Sequence, residues 1–181
     1  MVSHSGLLTV MERAARKAGS KLRRDFGEVE HLQVSRKGPA DFVSKADEQA
    51  ERTLVEELQK ARPDWGFLLE EGGEIAGDPT KPRWIIDPLD GTTNFLHNHP
   101  HYCASIAVAV DGRPVVGAVT SAPGGERWWA AEGIGAFKNG KPISVSKERR
   151  LLHSMVGTGF PFKLLDVLPE YLEEFDRVLR A

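Results

Sequence analysis

The chain has 181 residues, 40% of them hydrophobic and 28% charged, proportions of an ordinary globular protein long enough to bury a substantial core in one domain or slightly more. A formal net charge of −2 and a pI near 6.3 give no polybasic field of the kind that nucleic-acid or membrane-surface binding rests on, so neither partner is expected. The N-terminus lacks the apolar block of a signal peptide and no apolar run approaches a membrane span, while the single cysteine, Cys103, excludes an internal disulfide and a thiolate zinc cluster and makes a reducing cytoplasm the expected location.

Apolar residues at Leu7, Leu8, Met11, Ala15, Ala18 and Leu22 predict an amphipathic helix, with Arg13, Arg16, Lys17 and Lys21 on a solvated face. A second helix is predicted within DFVSKADEQAE and onward. Ser44 and Asp47 stand at capping-box spacing, Ala46, Ala50, Leu54, Leu58 and Ala61 form the buried stripe, and Pro63 ends it. Trp65 to Leu69 reads as a short strand running into Glu70-Glu71-Gly72-Gly73, and a Gly/Pro-rich loop, Gly72 to Pro82, leads to WIIDPLDGTTNF. Beyond it, Ala104 to Val110, Val115 to Ser121 and Glu126 to Ala131 read as antiparallel strands, with Asp111-Gly112 and Pro123-Gly124-Gly125 as turns. Cys103, in an apolar run, is expected as a small core residue. Leu151 to Gly157 is expected as a further strand, and Pro169 to Arg180, with Leu172, Phe175 and Leu179 in register, as a helix.

The segment Trp84 to Phe95 carries the chemistry. Trp84, Ile85 and Ile86 predict a strand covered on both faces, and Pro88 is expected to stop it, because it removes a backbone donor and fixes its own φ just where Asp87 leaves the sheet. Asp90 follows on the same turn. Like charges about 4 Å apart repel by roughly 1 to 4 kcal/mol in water-like to surface-like dielectric, so a cation between the two carboxylates is expected, and hard oxygen ligands suggest Mg²⁺. Gly91, Thr92 and Thr93 are expected to open a helix whose free N–H groups suit a phosphate. A neighbouring strand ending at Glu70 could bring a third carboxylate to the same edge, as a two-metal site requires. The same residues also read as an ordinary turn, an Asp helix cap and a pair of solvated loop acids.

DFVSKAD, FLLEEGG, WIIDPLDGTTNF, VVGAVTSAP and GIGAFKNGKPISVS, in this order, resemble the inositol monophosphatase family of Mg²⁺-dependent sugar and polyol phosphatases. The TTNF that follows Asp90-Gly91 points to the inositol branch rather than to the fructose bisphosphatase or bisphosphonucleotidase relatives. The resemblance implies an α/β (α+β) layered sandwich in which amino-terminal helices pack on a largely antiparallel sheet, and it implies a homodimer. It further implies that Glu70, Asp87 and the Leu89 carbonyl bind one Mg²⁺ and that Asp87 and Asp90 share a second. Gly91, Thr92 and Asp90 would face the substrate, a small polyol phosphate. Glu70 and the Thr92 hydroxyl, oriented by Asp47, would position the attacking water.

The sequence departs from the family in lacking the later Trp-Asp motif, which supplies a further acid for the second ion; Trp128-Trp129 precedes Ala130 and cannot replace it. The chain is therefore expected to hold a metal- and phosphate-binding domain over 1–150 and the start of a C-terminal portion over 151–181, and to be weakly active or inactive by itself. Phosphatase action on sugar bisphosphates or bisphosphonucleotides, and a non-catalytic binding or dimerisation module, are the competing readings.

Overall fold

The computed structural model describes residues 4–27, 34–38, 41–161 and 164–181; of 4, 34–38 and 41–44 only the backbone is described. The chain falls into two units, a larger one that runs to Ile143 and a smaller one of Ser144–Ala181 together with the segment 36–41.

In the larger unit, helix α1 (His4–Asp25) and helix α2 (Lys45–Ala61) lie against one another, α1 also on the strands Cys103–Val110 and Arg113–Ser121 and α2 on the strand Arg83–Asp90. Their apolar stripes explain this. Leu7, Met11, Ala14, Ala15, Ala18 and Leu22 of α1 and Ala46, Ala50, Leu54 and Leu58 of α2 are buried, and the alanines among them allow close approach. The basic face expected to be solvated also ties the helices together: Lys17 Nζ lies 2.8 Å and Arg13 Nε 3.8 Å from the Glu57 carboxylate. Strands β1 (Val34–Gly38) and β2 (Asp41–Ser44) form a two-stranded sheet. Helix α2 begins directly after Ser44, whose expected capping side chain lies outside the described residues.

The main sheet contains β3 (Gly66–Leu69), β4 (Gly73–Ile75), β5 (Arg83–Asp90), β6 (Cys103–Val110), β7 (Arg113–Ser121), β8 (Arg127–Ala131), β9 (Gly135–Lys138) and β10 (Lys141–Ile143). Its order is β10-β9-β8-β7-β6-β5-β3-β4. Every pairing is antiparallel except β3 with β5, so the α/β layered arrangement of helices on a largely antiparallel sheet is the one observed. From β6 to β10 the sheet is a meander of sequence neighbours. Asp111-Gly112 and Asn139-Gly140 turn its hairpins with positive φ at both residues (50° and 76°, 50° and 78°), the conformation that matches strand twist and favours an Asx-Gly pair. Strands β1, β2, β9 and β10 were not among the expected elements, nor was β4, which pairs with β3 inside the stretch Gly72 to Pro82 expected as a loop.

Two expectations about β5 are corrected. Its burial alternates, with Trp84, Ile86 and Leu89 buried and Ile85 and Asp87 only half-buried, because the helices cover one face; the apolar run Trp84-Ile85-Ile86 does not mean that both faces are covered. Nor does Pro88 end the strand. Pairing with β6 resumes at Asp90↔Cys103 after a register shift between Asp87 and Asp90, and a proline without an N–H is tolerated within such an irregularity.

In the smaller unit, helix α4 (Leu168–Arg180) starts with proline in its first turn as expected. Leu151–Gly157 is not a strand: a 3₁₀ turn covers Leu151–His153, and among the described residues no regular element follows before the next 3₁₀ turn at Leu165. Among the described residues this stretch has no ladder partner, without which apolar composition cannot make a strand. Phe160 packs on Tyr171 and Phe175 with ring centroids 5.3 and 6.0 Å apart, while Leu172 and Leu179 remain exposed. Among the described residues no helix is long and apolar enough to cross a membrane.

Candidate active site

The parallel pairing of β3 with β5 in the main sheet sets the position of the acids. Leu69 of β3 is registered on Ile86 of β5, so the residues that follow, Glu70 just beyond β3 and Asp87 still within β5, stand side by side; an antiparallel pair would have sent them to opposite ends. The Glu70 N–H donates to the Ile86 carbonyl at 3.2 Å, and the Glu70 carboxyl is near enough to act on that of Asp87. Asp87 Oδ1 also accepts the Leu89 N–H at 3.1 Å, a local Asx turn that aims the carboxylate across the irregularity in β5. Asp90, at the exposed end of the strand, is near enough for its charge to act on Asp87.

Burial first, then the charges of Asp90 and Asp47, hold the Asp87 carboxyl above its ordinary range, against the opposing effects of Glu70 and the Leu89 amide. Cys103, registered opposite Asp90, lies with Sγ 3.7 Å from Asp90 Oδ2. It is half-buried at this edge rather than in the core, which corrects the sequence expectation: its apolar neighbours alternate sides along β6, and residue 103 falls on the side facing the acids. Its thiol is pushed up to about 12 by burial and by the Asp90 and Asp87 charges.

Gly91 turns the chain from β5 into helix α3 (Thr92–Leu96) with φ 96°. A Cβ there would lie 2.8 Å from the His101 carbonyl oxygen and 3.3 Å from Tyr102 Cα, so glycine is required for its conformation and for its closeness to the neighbouring chain. The predicted helix is only five residues long, too short for much macrodipole; any anion here is met by individual N–H groups. Phe95, fully buried, anchors it against Phe26 and Tyr102, ring centroids 5.7 and 5.1 Å away.

Thr92 Oγ1 lies 3.0 Å from Asp47 Oδ1 and 3.0 Å from the Leu89 carbonyl oxygen. Asp47 comes from α2 and is fully buried. A hydroxyl whose proton goes to a buried carboxylate keeps its lone pairs for an incoming donor.

The inositol monophosphatase family model matches residues 4–171 of the chain. The chain belongs to the inositol monophosphatase family. It is 50% identical over 179 residues to an inositol-1-monophosphatase of Rhizobium meliloti (strain 1021), covering 98% of this chain and 67% of that protein. It is 37% identical over 166 residues to the Nus factor SuhB of Escherichia coli (strain K12), covering 92% of this chain and 62% of that protein. A crystal structure of the extragenic suppressor protein suhB from Bartonella henselae superposes with a TM-score of 0.92 at 47% identity, over 97% of this chain and 67% of that one. The chain therefore spans about two thirds of the length of these relatives.

The donors present here fit a hard cation in kind: the Glu70, Asp87 and Asp90 carboxylates, and the Leu89 carbonyl beside the Thr92 hydroxyl. Among the described residues no three Asp, Glu, His or Cys side chains stand closed around a point that could hold an ion. The fit rests on donor chemistry and on the proximity of Glu70, Asp87 and Asp90. Two contributors were missed by the sequence reading. Cys103 was assigned to the core, and Glu51, buried at 7% exposure, accepts the Glu71 N–H through Oε2 at 2.9 Å. The position of Glu51 one helical turn after Asp47 was the available signal.

Proposed function

We propose that this chain forms the metal- and phosphate-binding part of a Mg²⁺-dependent phosphomonoester hydrolase acting on inositol monophosphate or a similar small polyol phosphate. The observation that carries the reading is the hydrogen bond from the Thr92 hydroxyl toward buried Asp47, beside the Glu70–Asp87 pair. Glu70, Asp87 and the Leu89 carbonyl would hold one ion, and Asp87 with Asp90 a second. When bound, the ions supply charge neutralisation for the phosphate and a lowered pKa for water.

The chain's own groups do the positioning. Glu70 and Thr92 Oγ1 orient a water on the phosphorus, Thr92 accepting one of its hydrogens because its own proton is given to Asp47. The Gly91 and Thr92 amides, with Asp90 alongside, face the phosphate, and the missing Cβ at Gly91 keeps that approach open. Residues 1–150 form the metal- and phosphate-binding domain in this reading and 151–181 the start of a C-terminal portion, in a cytoplasmic homodimer.

Phosphate release from inositol monophosphate, followed with Mg²⁺ and compared with Asp87→Asn, tests it. Weak Mg²⁺-dependent release that Asp87→Asn abolishes is expected. Absence of both Mg²⁺ binding and release would remove the reading. A second reading, a non-catalytic binding module, draws on the similarity to the Nus factor SuhB. Mg²⁺ binding without phosphate release from any polyol phosphate would favour it.

A further inference from the structure

We propose that Glu51 is a positioning residue that fixes the Glu70 carboxylate beside Asp87, so that α2 aligns both halves of the site with two buried carboxylates. Asp47 and Glu51 lie one turn apart on α2 and are 0% and 7% exposed. Like charges four residues apart on a helix repel, and buried carboxylates need partners. Each of these is directed to a different sheet end: Asp47 to the Thr92 hydroxyl after β5 at 3.0 Å, Glu51 to the Glu71 N–H after β3 at 2.9 Å.

The contact falls where the ladder gives out. The Glu70 N–H still donates to Ile86, but the next N–H, that of Glu71, turns away from β5 and is taken by Glu51. The carboxylate also defines the following residue: a Cβ on Gly72 would stand 2.8 Å from Glu51 Oε1 and 3.1 Å from Leu69 Cδ1. Glu51 thus bears on the two residues directly after Glu70. An amide donating to a carboxylate makes a charge-assisted bond, and fixing the backbone directly after Glu70 limits the directions in which the Glu70 carboxylate can turn, as a partner behind a metal ligand does. The metal half of this inference rests on the reading proposed above; the loop half does not.

The test uses the 181-residue chain and three readouts: hydrogen exchange at the Glu71 amide, Mg²⁺ affinity by titration calorimetry, and melting temperature. Glu51→Ala is expected to speed Glu71 exchange and to weaken Mg²⁺ binding by about 10- to 100-fold, the range for loss of a partner that orients a metal ligand. Glu51→Gln keeps an acceptor oxygen and should restore both. Val55→Ala, one turn further along α2, should lower the melting temperature and leave exchange and affinity unchanged. If Glu51→Ala does not fold, Gly72→Ala disturbs the same contact from the loop and should give the same two losses. Parental Glu71 exchange in Glu51→Ala or Gly72→Ala overturns the proposal, as does Val55→Ala weakening Mg²⁺ as much as Glu51→Ala. If the parent chain itself binds no Mg²⁺, the metal reading fails, and the Glu71 exchange rate alone decides whether Glu51 fixes the turn.

Discussion

Leu69 and Ile86 are paired in parallel register, and through that one pairing Glu70 comes to lie against Asp87. No local sequence feature of either strand dictates it. The pairing turns two strands with acidic ends into a shared site.

Asp87 sets the response to pH and to cations. Its carboxyl is held above the ordinary range by burial and by Asp90 and Asp47. A raised carboxyl contributes stability that is fully present below its unfolded pKa and is lost as pH rises through the folded pKa. Without divalent cations, the parent should therefore lose stability on going from mildly acidic to neutral pH, and Asp87→Asn should lose less. Mg²⁺ at a hundredfold excess over its dissociation constant should add about 2.7 kcal/mol to the parent, most of it absent in Asp87→Asn. Urea unfolding at several pH values, with EDTA or Mg²⁺, reads both effects; identical pH profiles for the two proteins would contradict the assignment.

Glu70→Gln and Thr92→Ala should reduce turnover more than substrate affinity, since both groups are assigned to the water and not to the phosphate. Loss of about 3 to 4 kcal/mol of transition-state stabilisation corresponds to a rate lower by roughly a hundred- to a thousandfold. Thr92→Ser retains the hydroxyl aimed at Asp47 and should keep most of the rate. Steady-state kinetics giving a raised KM with kcat untouched would reassign both residues to binding.

Gly91→Ala meets two obstacles, a φ of 96° and a Cβ 2.8 Å from the His101 oxygen. The backbone strain alone costs about 1 to 2 kcal/mol, and the contact is with backbone that cannot rotate away. Thermal unfolding should show a clear loss of stability, with the phosphate-facing turn displaced. A melting temperature equal to the parent's would mean that the turn relaxes freely.

Phe95→Ala tests how far α3 depends on its anchor. Phe95 is fully buried among Phe26 and Tyr102, and removal of such a ring costs about 3 to 5 kcal/mol. If the ring also seats the turn, Mg²⁺ protection in the denaturant melts should weaken beyond what the global loss explains. A small stability change, below about 1 kcal/mol, would place the anchoring of α3 elsewhere.

What was readable in the sequence was local. The stripes of α1 and α2, the hairpins at Asp111-Gly112 and around β7 and β8, and the acid-rich end of β5 each follow from spacing within a few residues. What was not readable was non-local. Ile85 is apolar for reasons its own neighbours do not reveal, and only the placement of the helices on one face of β5 leaves it half-buried. Cys103 looked like core because its run is apolar, yet strand alternation assigns it to the acidic edge. Leu151–Gly157 has strand-like composition but no neighbouring strand. Glu51 is spaced like any acid of a helix, and only the end of β3 lying against it gives it a partner.

The mixed sheet also implies an order of events in folding. Strands β6 to β10 are joined to their neighbours by short turns and can pair with little loop closure, whereas β3 meets β5 only across the segment Glu70–Pro82, and the Asp47–Thr92 contact spans 45 residues. Short-range pairings precede long-range ones when chain entropy controls the rate. The meander should gain protection first in pulse-labelled hydrogen exchange, with the amides of Glu70 and Glu71 among the last to be protected. Early protection at Glu70 would instead make the parallel pair part of the nucleus. With the expected order, the acids are brought together only after most of the sheet exists, so their mutual repulsion opposes a late step, and divalent cations should speed the final phase of refolding more than the first.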